Sequence, residues 1–238
     1  MAAATIIATA LTAHSAQAEP PPALSDALIR YARLDYANAL QLLWPLADQG
    51  NAVAQEILGF MHARGEGIPR DDAVAFRWFT LAAEAGRAEA QFELGRMYRD
   101  GLGVPADGKA ALLWLRRAAE QGKTDACNLV GELYLGSGGI PVDHRAALEW
   151  FFRAAEGGSA EAMYNIGLHY GTGQGVERDD IEAFKWFVLA YGEAIGTLRD
   201  SAARARVGLA ERLMPMQVQM GLIRARDWIQ VHRVEETQ

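Results

Sequence analysis

Small and hydrophobic residues recur at helical spacing through the middle of the chain. In residues 52–64, Ala54, Leu58 and Met61 fall on one side of a helix with ~3.6 residues per turn. Gly65 follows directly, and glycine is the usual residue where a helix ends in a left-handed conformation. The pattern predicts a first helix over 52–64 that buries this apolar stripe.

A second helix is predicted after a short glycine-rich loop. Pro69 cannot continue a helix, and Asp71 is placed to accept backbone N–H bonds at the start of the next one. This second helix carries Trp78 and Phe79 and ends near Gly86. We expect Trp78 to fill the space between helix layers, while small residues let the backbones approach.

The whole pattern repeats with a period of 36 residues. The recurring positions are Gly59, Gly95, Gly131 and Gly167; Trp78, Trp114, Trp150 and Trp186; and Asp71, Asp107, Asp143 and Asp179. We therefore divide the chain into a half repeat at 35–51 and four repeats at 52–87, 88–123, 124–159 and 160–196. One helix pair cannot bury its apolar face alone, so the repeats are predicted to stack.

The clearest copy, Ala88–Lys123, closely resembles the Sel-one-like repeat, a relative of the tetratricopeptide repeat (TPR). It carries the pattern A-x-A-Q-x-x-L-G-x-M-Y, then G-x-G-V-P-x-D, then A-x-x-W-x-x-x-A-A-E-x-G. The resemblance covers residues 35–190. It implies an all-α fold, a TPR-like α-solenoid in which antiparallel helix pairs form a right-handed superhelix.

The end of the array departs from the pattern. Glu177 replaces the loop proline of the fourth repeat, and the letters A-Y-G at 190–192 replace A-A-E, which indicates a terminal unit. Residues 197–230, with a break at Pro215, resemble the closing helices of related arrays. They predict a C-terminal helical cap with one polar face, followed by a tail at 231–238.

The amino-terminal segment has the features of an export signal. Residues 1–18 contain no charged side chain and end in the A-x-A pattern that precedes a signal-peptidase cut. This predicts cleavage after Ala18 and a periplasmic or secreted protein, with residues 19–34 as an N-terminal linker or helix. No Lys or Arg follows Met1. Two alternatives therefore remain: a start upstream of Met1, or an alanine-rich leader on a cytoplasmic protein.

Composition and charge exclude several classes of function. The chain is 50% hydrophobic and 22% charged, which is typical of a globular protein. A net charge of −7 argues against a nucleic-acid partner and against a polybasic membrane-binding segment. The single cysteine, Cys127, cannot form an internal disulfide, and we expect it to be buried in a first helix.

Candidate catalytic and metal-binding residues lack the necessary context. Residues 122–124 read G-K-T like the end of a P-loop, but Arg117 stands where the upstream glycine is required. His62, His144 and His169 have no neighbouring ligands at metal-site spacing, and His62 stands where the other repeats have tyrosine. We predict no enzyme activity, no cofactor and no metal site.

One face of the predicted first helices varies freely between repeats, while the opposite face stays small or apolar. The variable positions are spaced i, i+4, i+7 and i+11, which is one side of a helix. This first-helix face consists of Val53, Ile57, Phe60, Arg64, Glu89, Glu93, Arg96, Asp100, Asp125, Leu129, Glu132, Glu161, Asn165 and Leu168. By resemblance to TPR arrays, the first helices line the concave side, where partners dock.

The first-helix face is apolar in the first repeat and acidic in the second and third. We therefore predict a protein or peptide partner with apolar and basic residues. The alternative is that these side chains are ordinary solvated surface. The sequence specifies neither the identity of the partner nor the oligomeric state.

The resemblance implies a non-catalytic scaffold or adaptor, which we place in the bacterial cell envelope. An alternative from another class is a secreted repeat protein that binds penicillin or hydrolyses β-lactams. Cysteine-rich relatives with that activity rely on a disulfide in every repeat. Cys127 alone cannot provide those disulfides, so we expect the scaffold.

Overall fold

The computed structural model describes residues 22–233, and all regular secondary structure in that range is helical. Its 12 α-helices are α1 (Pro22–Ala32), α2 (Tyr36–Asp48), α3 (Ala52–Arg64), α4 (Asp72–Glu84), α5 (Ala88–Asp100), α6 (Gly108–Glu120), α7 (Thr124–Leu133), α8 (His144–Glu156), α9 (Ala160–Thr172), α10 (Asp180–Glu193), α11 (Gly196–Ala210) and α12 (Pro215–Arg233). The predicted all-α, TPR-like fold is confirmed. The signal peptide predicted at 1–18 lies outside the described residues.

Each predicted repeat holds one pair of helices. The two helices pack together as α3 on α4, α7 on α8 and α9 on α10, and successive repeats pack as α4 on α5 and α8 on α9. The chain divides into two compact units, Met1–Ala118 and Ala119–Gln238, with the division inside α6. The first unit holds α1 to α5 and most of α6, and the second holds α7 to α12.

Local sequence signals set the helix ends as expected. The Asp71 carboxylate accepts a hydrogen bond from the Val74 backbone N–H at 3.0 Å, which confirms the predicted cap of α4. First helices end at left-handed glycines, Gly65 with φ 71° and Gly173 with φ 74°. The third repeat differs because Ser137 stands at the equivalent position, and α7 ends early, before a 3-10 turn at Ser137–Gly139.

A glycine of each first helix lies against one large side chain of the second helix. A Cβ built on Gly131 would lie 2.5 Å from the ring of Phe151, and one on Gly95 would lie 2.6 Å from the side chain of Leu115. The other two pairs are Gly59 with Phe79 and Gly167 with Phe187. In the first repeat Phe79, 1% exposed, occupies the space at the glycine, while half-buried Trp78 packs between layers as expected, with its ring centroid 5.3 Å from that of Trp44 in α2.

A second glycine, in the loop, fixes the distance between successive repeats. A Cβ on Gly103 would overlap the backbone of Asp72, at the start of α4 in the preceding repeat. Gly175 approaches the backbone of His144 in the same way, at the start of α8. Both glycines also have positive φ, so no other residue satisfies the turn and the contact together.

The predicted half repeat is preceded by a well-packed helix. In α1, Leu24, Leu28 and Tyr31 are buried in the same apolar cluster as α2 and α3. The Tyr31 hydroxyl donates a 2.6 Å hydrogen bond to Glu66, in the loop after α3, and burial raises the pKa of this tyrosine. Helix α1 therefore gives α2 a partner helix, within the segment predicted as a linker or helix.

The closing segment consists of two helices separated at Pro215, where α12 begins. Helix α12 continues to Arg233, so it includes the first residues of the predicted tail, whose residues 234–238 lie outside the described range. Its outer surface is less polar than expected, since Met216 is 73% exposed and Val231 is 63% exposed. The outer surface of the cap thus combines polar and apolar side chains.

Replacing Gly131 with alanine tests the glycine contact. Gly131→Ala should lower the free energy of unfolding by about 1–2 kcal/mol, because overpacking against Phe151 outweighs the better helix propensity of alanine. Gly208→Ala is the matched control, since no described atom lies within 4 Å of a Cβ at that helical glycine, and should stabilise by about 0.5–1 kcal/mol. Urea denaturation followed by circular dichroism measures both, and a stabilised Gly131→Ala protein would contradict the contact.

Candidate partner-binding surface

The fixed side of the first helices forms the core, as the pattern predicts. Ala54 and Leu58 in α3, and Ala90 and Leu94 in α5, are each 0% exposed. This burial holds one side of each first helix in a constant register. The variable residues are therefore presented on other sides of the same helices.

In the first repeat the prediction of an accessible apolar surface was wrong. Val53, Ile57 and Phe60 are 7%, 0% and 2% exposed, and they belong to the apolar cluster that includes α1. The physical reason is the additional α1–α2 pair, which supplies apolar side chains to this end of the first unit. Of the four predicted positions in this repeat, Arg64 is exposed, with its guanidinium 4.5 Å from the Phe60 ring centroid.

In the second repeat, arginines accompany the predicted acidic residues. Arg96 forms an ion pair with Glu93 at 3.1 Å, and both side chains are partly exposed, as is that of Glu89. Asp100 accepts two hydrogen bonds from Arg99, and these lower the pKa of its carboxyl group. The second repeat is thus less acidic as a surface than its sequence suggests.

Four predicted residues of the first two repeats line one cavity of about 270 Å³: Phe60, Arg64, Glu93 and Arg96. The sequence analysis missed Arg70 and Asp72, which also line it and form a bidentate pair with 2.9 Å contacts. These two residues lie in the loop and at the start of α4, outside the variable positions of the first helices. Three arginines and two acids leave this cavity without a dominant charge that would select a ligand.

In the third and fourth repeats the structure brings two predicted acids together. The buried Asn128 amide donates to Glu132 at 2.9 Å and to Glu161 at 3.3 Å. Asp125 and Glu161 are exposed, and Glu132 is partly exposed. The result is an acidic surface that extends from α7 to α9 within the second unit.

Apolar side chains accompany this acidic surface on the same two helices. Leu168, on α9, is 40% exposed, and Leu129, on α7, is partly exposed. The polar side chain of Asn165, also on α9, is partly exposed as well. The surface therefore combines carboxylates with an accessible leucine. That combination suits a partner with basic and apolar side chains.

The sequence analysis missed Asn128 because the equivalent positions of the other repeats hold unlike residues: Glu56, Phe92 and Tyr164.

In the first repeat the equivalent residue, Glu56, also connects its helix, α3, to the first helix of the next repeat, α5. Glu56 is fully buried and forms a bidentate pair with Arg87, with contacts of 2.8 and 3.1 Å. These two hydrogen bonds fix α3 against the start of α5.

Among the described residues, the histidines and the cysteine lie within the helical array. Among residues 22–233, no group of three or more His, Cys, Asp or Glu side chains is arranged to hold a metal. The ring centroids of His144 and His169 lie 5.6 Å apart, a proximity that sequence spacing did not predict. Cys127 is buried as expected, and burial raises the pKa of its thiol.

His169 is a core side chain whose charge would destabilise the fold. It is 4% exposed, its Nδ1 donates to the Asn165 carbonyl at 2.8 Å, and its Nε2 has no hydrogen-bond partner among the described residues. Burial lowers its pKa from the ordinary value of 6.5. The unfolded chain therefore takes up this proton first as the pH falls.

Stability should consequently decrease as the pH falls through about 6.5, the ordinary pKa of histidine, because His169 stays neutral when folded and is protonated when unfolded. The variant His169→Met introduces the residue that the first and second repeats carry at the equivalent position, Met61 and Met97. It should make the decrease in stability smaller. Urea denaturation at several pH values measures the effect. An unchanged pH dependence in the variant would show that His169 does not contribute.

The paired helices, their fixed period and the variable outer positions define a helical-repeat protein. A family model described as Sel1 repeat matches residues 52–86, 88–123, 124–159 and 160–192. The chain belongs to the Sel1 repeat family, as the resemblance predicted.

Solved structures support the same assignment. A Sel1 repeat protein from Oxalobacter formigenes is 28% identical with a TM-score of 0.68, over 82% of this chain and 88% of that chain. A protective antigen present in uropathogenic Escherichia coli strains, which displays an SLR fold, is 28% identical with a TM-score of 0.73. That match covers 85% of this chain and 44% of the antigen chain. No curated protein matches the chain.

Proposed function

We propose that this protein is a non-catalytic scaffold or adaptor of the bacterial cell envelope, which binds a protein or peptide partner on its first-helix face. Sel1 repeats generally mediate protein interactions, and this supports the class of function. Placement in the envelope rests on the leader-like residues 1–18. The single buried cysteine favours a scaffold over the disulfide-dependent β-lactam activity of cysteine-rich relatives.

The acidic surface of the third and fourth repeats carries this proposal. Asp125 and Glu161 are exposed on α7 and α9, and the exposed Leu168 lies on the same α9 helix. A partner segment with Arg or Lys beside an apolar side chain complements this surface in both charge and polarity. Because Val53, Ile57 and Phe60 are buried, the accessible apolar contact is Leu168, not the first repeat.

Charge reversal on this surface tests the proposal. Asp125→Lys combined with Glu161→Lys should abolish capture of the partner from crosslinked native envelopes, because attraction for a basic segment becomes repulsion. Glu161 accepts a hydrogen bond from Asn128, and both acids lie in the first turn of a helix, so the free energy of unfolding should fall by about 1–2 kcal/mol while the protein stays folded. Quantitative mass spectrometry of captured proteins, with wild type alongside, gives the readout.

The matched control is Glu149→Lys combined with Glu177→Lys. It makes the same change in net charge at exposed positions on α8 and in the fourth loop. The control should capture the same proteins as wild type. Equal capture by both double variants would mean that the partner binds elsewhere, and no specific capture by wild type would remove support for a scaffold.

A further inference from the structure

A cavity of about 340 Å³ lies in the second unit, beside the closing helix. Its walls come from the end of α8, from α9 and α10, and from the last turns of α12. The volume is within the ~300–1,000 Å³ range of ligand pockets, at the end suited to a group the size of one amino-acid residue. The cavity shares no residue with the first-helix face.

The cavity coincides with the strongest departure from the repeat pattern. Gly192 lines it and stands where the first three repeats carry Glu84, Glu120 and Glu156. No described atom lies within 4 Å of a Cβ built on Gly192, nor of one built on Gly158, which lines the same cavity. Gly158 has a φ of 84°, which explains the glycine there, whereas no close contact explains Gly192, where the missing side chain leaves space open.

One wall is aromatic and held in place by its own contacts. The rings of Trp228 and His232 are stacked, with centroids 3.7 Å apart and planes inclined by 19°. His232 Nδ1 donates to the Trp228 carbonyl at 2.9 Å, and the Trp228 ring lies 4.7 Å from that of buried Trp186. These contacts hold the wall in one arrangement, so binding would require little reordering.

The remaining lining combines apolar side chains with two carboxylates. Met163 and Leu189 are buried, while Glu156 and Glu193 are exposed at the cavity. An aliphatic stem with a cationic end matches this lining, because the stem covers apolar surface and the charge faces carboxylates. The Lys185 ammonium already lies 5.1 Å from the Trp228 ring centroid, so this ring contributes apolar surface and the attraction for a ligand cation comes from the carboxylates.

We propose that this cavity is a binding site for an arginine or lysine side chain of a partner polypeptide, with its stem against Trp228 and its charge toward Glu156 and Glu193. The site is a contact separate from the first-helix face. It would give the scaffold a second point of attachment, specific for a basic residue. The experiments can disprove binding at the cavity without disproving binding at the first-helix face, and the reverse also holds.

Blocked single residues are the direct probes, because they carry the side chain without free termini. N-acetyl-arginine methylamide and the lysine equivalent, titrated at millimolar concentration into the ¹⁵N-labelled full chain, should shift the indole N–H resonance of Trp228. The norleucine equivalent, which has an aliphatic stem and no charge, should leave it unchanged. Equal shifts with norleucine would overturn the assignment of a cation site.

Filling the cavity provides a structural control. Gly192→Phe should abolish the arginine-induced shift, because the new ring occupies open space. Gly208→Phe is the matched variant, at a helical glycine of α11 that is equally free of contacts and does not line the cavity, and should bind as wild type. Persistent shifts in Gly192→Phe would contradict the proposed location.

Removing the two carboxylates tests the charge contribution. Glu156→Gln combined with Glu193→Gln should weaken arginine binding by roughly tenfold, since each charge–charge contact at an exposed rim is individually modest. The same titration, repeated at higher salt, should show a smaller difference between wild type and this variant. Unchanged affinity in the double variant would show that the carboxylates do not bind the ligand.

Discussion

The close approach of the two helices within each repeat is the constraint on which the rest of the structure depends. At Gly59, Gly95, Gly131 and Gly167 the first helix has no side chain, and a phenylalanine or leucine of the second helix occupies the space. This contact sets the distance and register of the pair. It turns one side of each first helix toward the core, so the variable positions lie on other sides of that helix and are exposed where no further helix covers them.

The contacts between repeats are equally local. Loop glycines such as Gly103 and Gly175 allow a loop to rest on the start of the preceding second helix. Side chains then complete the junction in different ways: a buried ion pair joins Glu56 to Arg87, and an amide joins Asn128 to Glu161. Because these links differ, the junctions between repeats are not equivalent, although the backbone repeats.

The 36-residue period was sufficient to predict the helix pairs, the aspartate cap of α4 and the repeat family, because these depend on residues close in sequence. Contacts from outside the repeat were not predictable in the same way. Val53 and Phe60 are buried within a cluster that α1 shares, although nothing in the period assigns α1 to the core. Gly192 was recognised as a departure, but its cavity requires α12 to supply Trp228.

The central claim is that a partner contacts the exposed variable residues of the first helices in the third and fourth repeats. Site-specific photo-crosslinking in living cells tests it most directly. A benzophenone side chain at position 168, on α9, should form a discrete crosslinked adduct with a partner, and one at position 149, on α8, should not. Both positions are exposed in the same unit. An adduct at 149 and none at 168 would contradict the account.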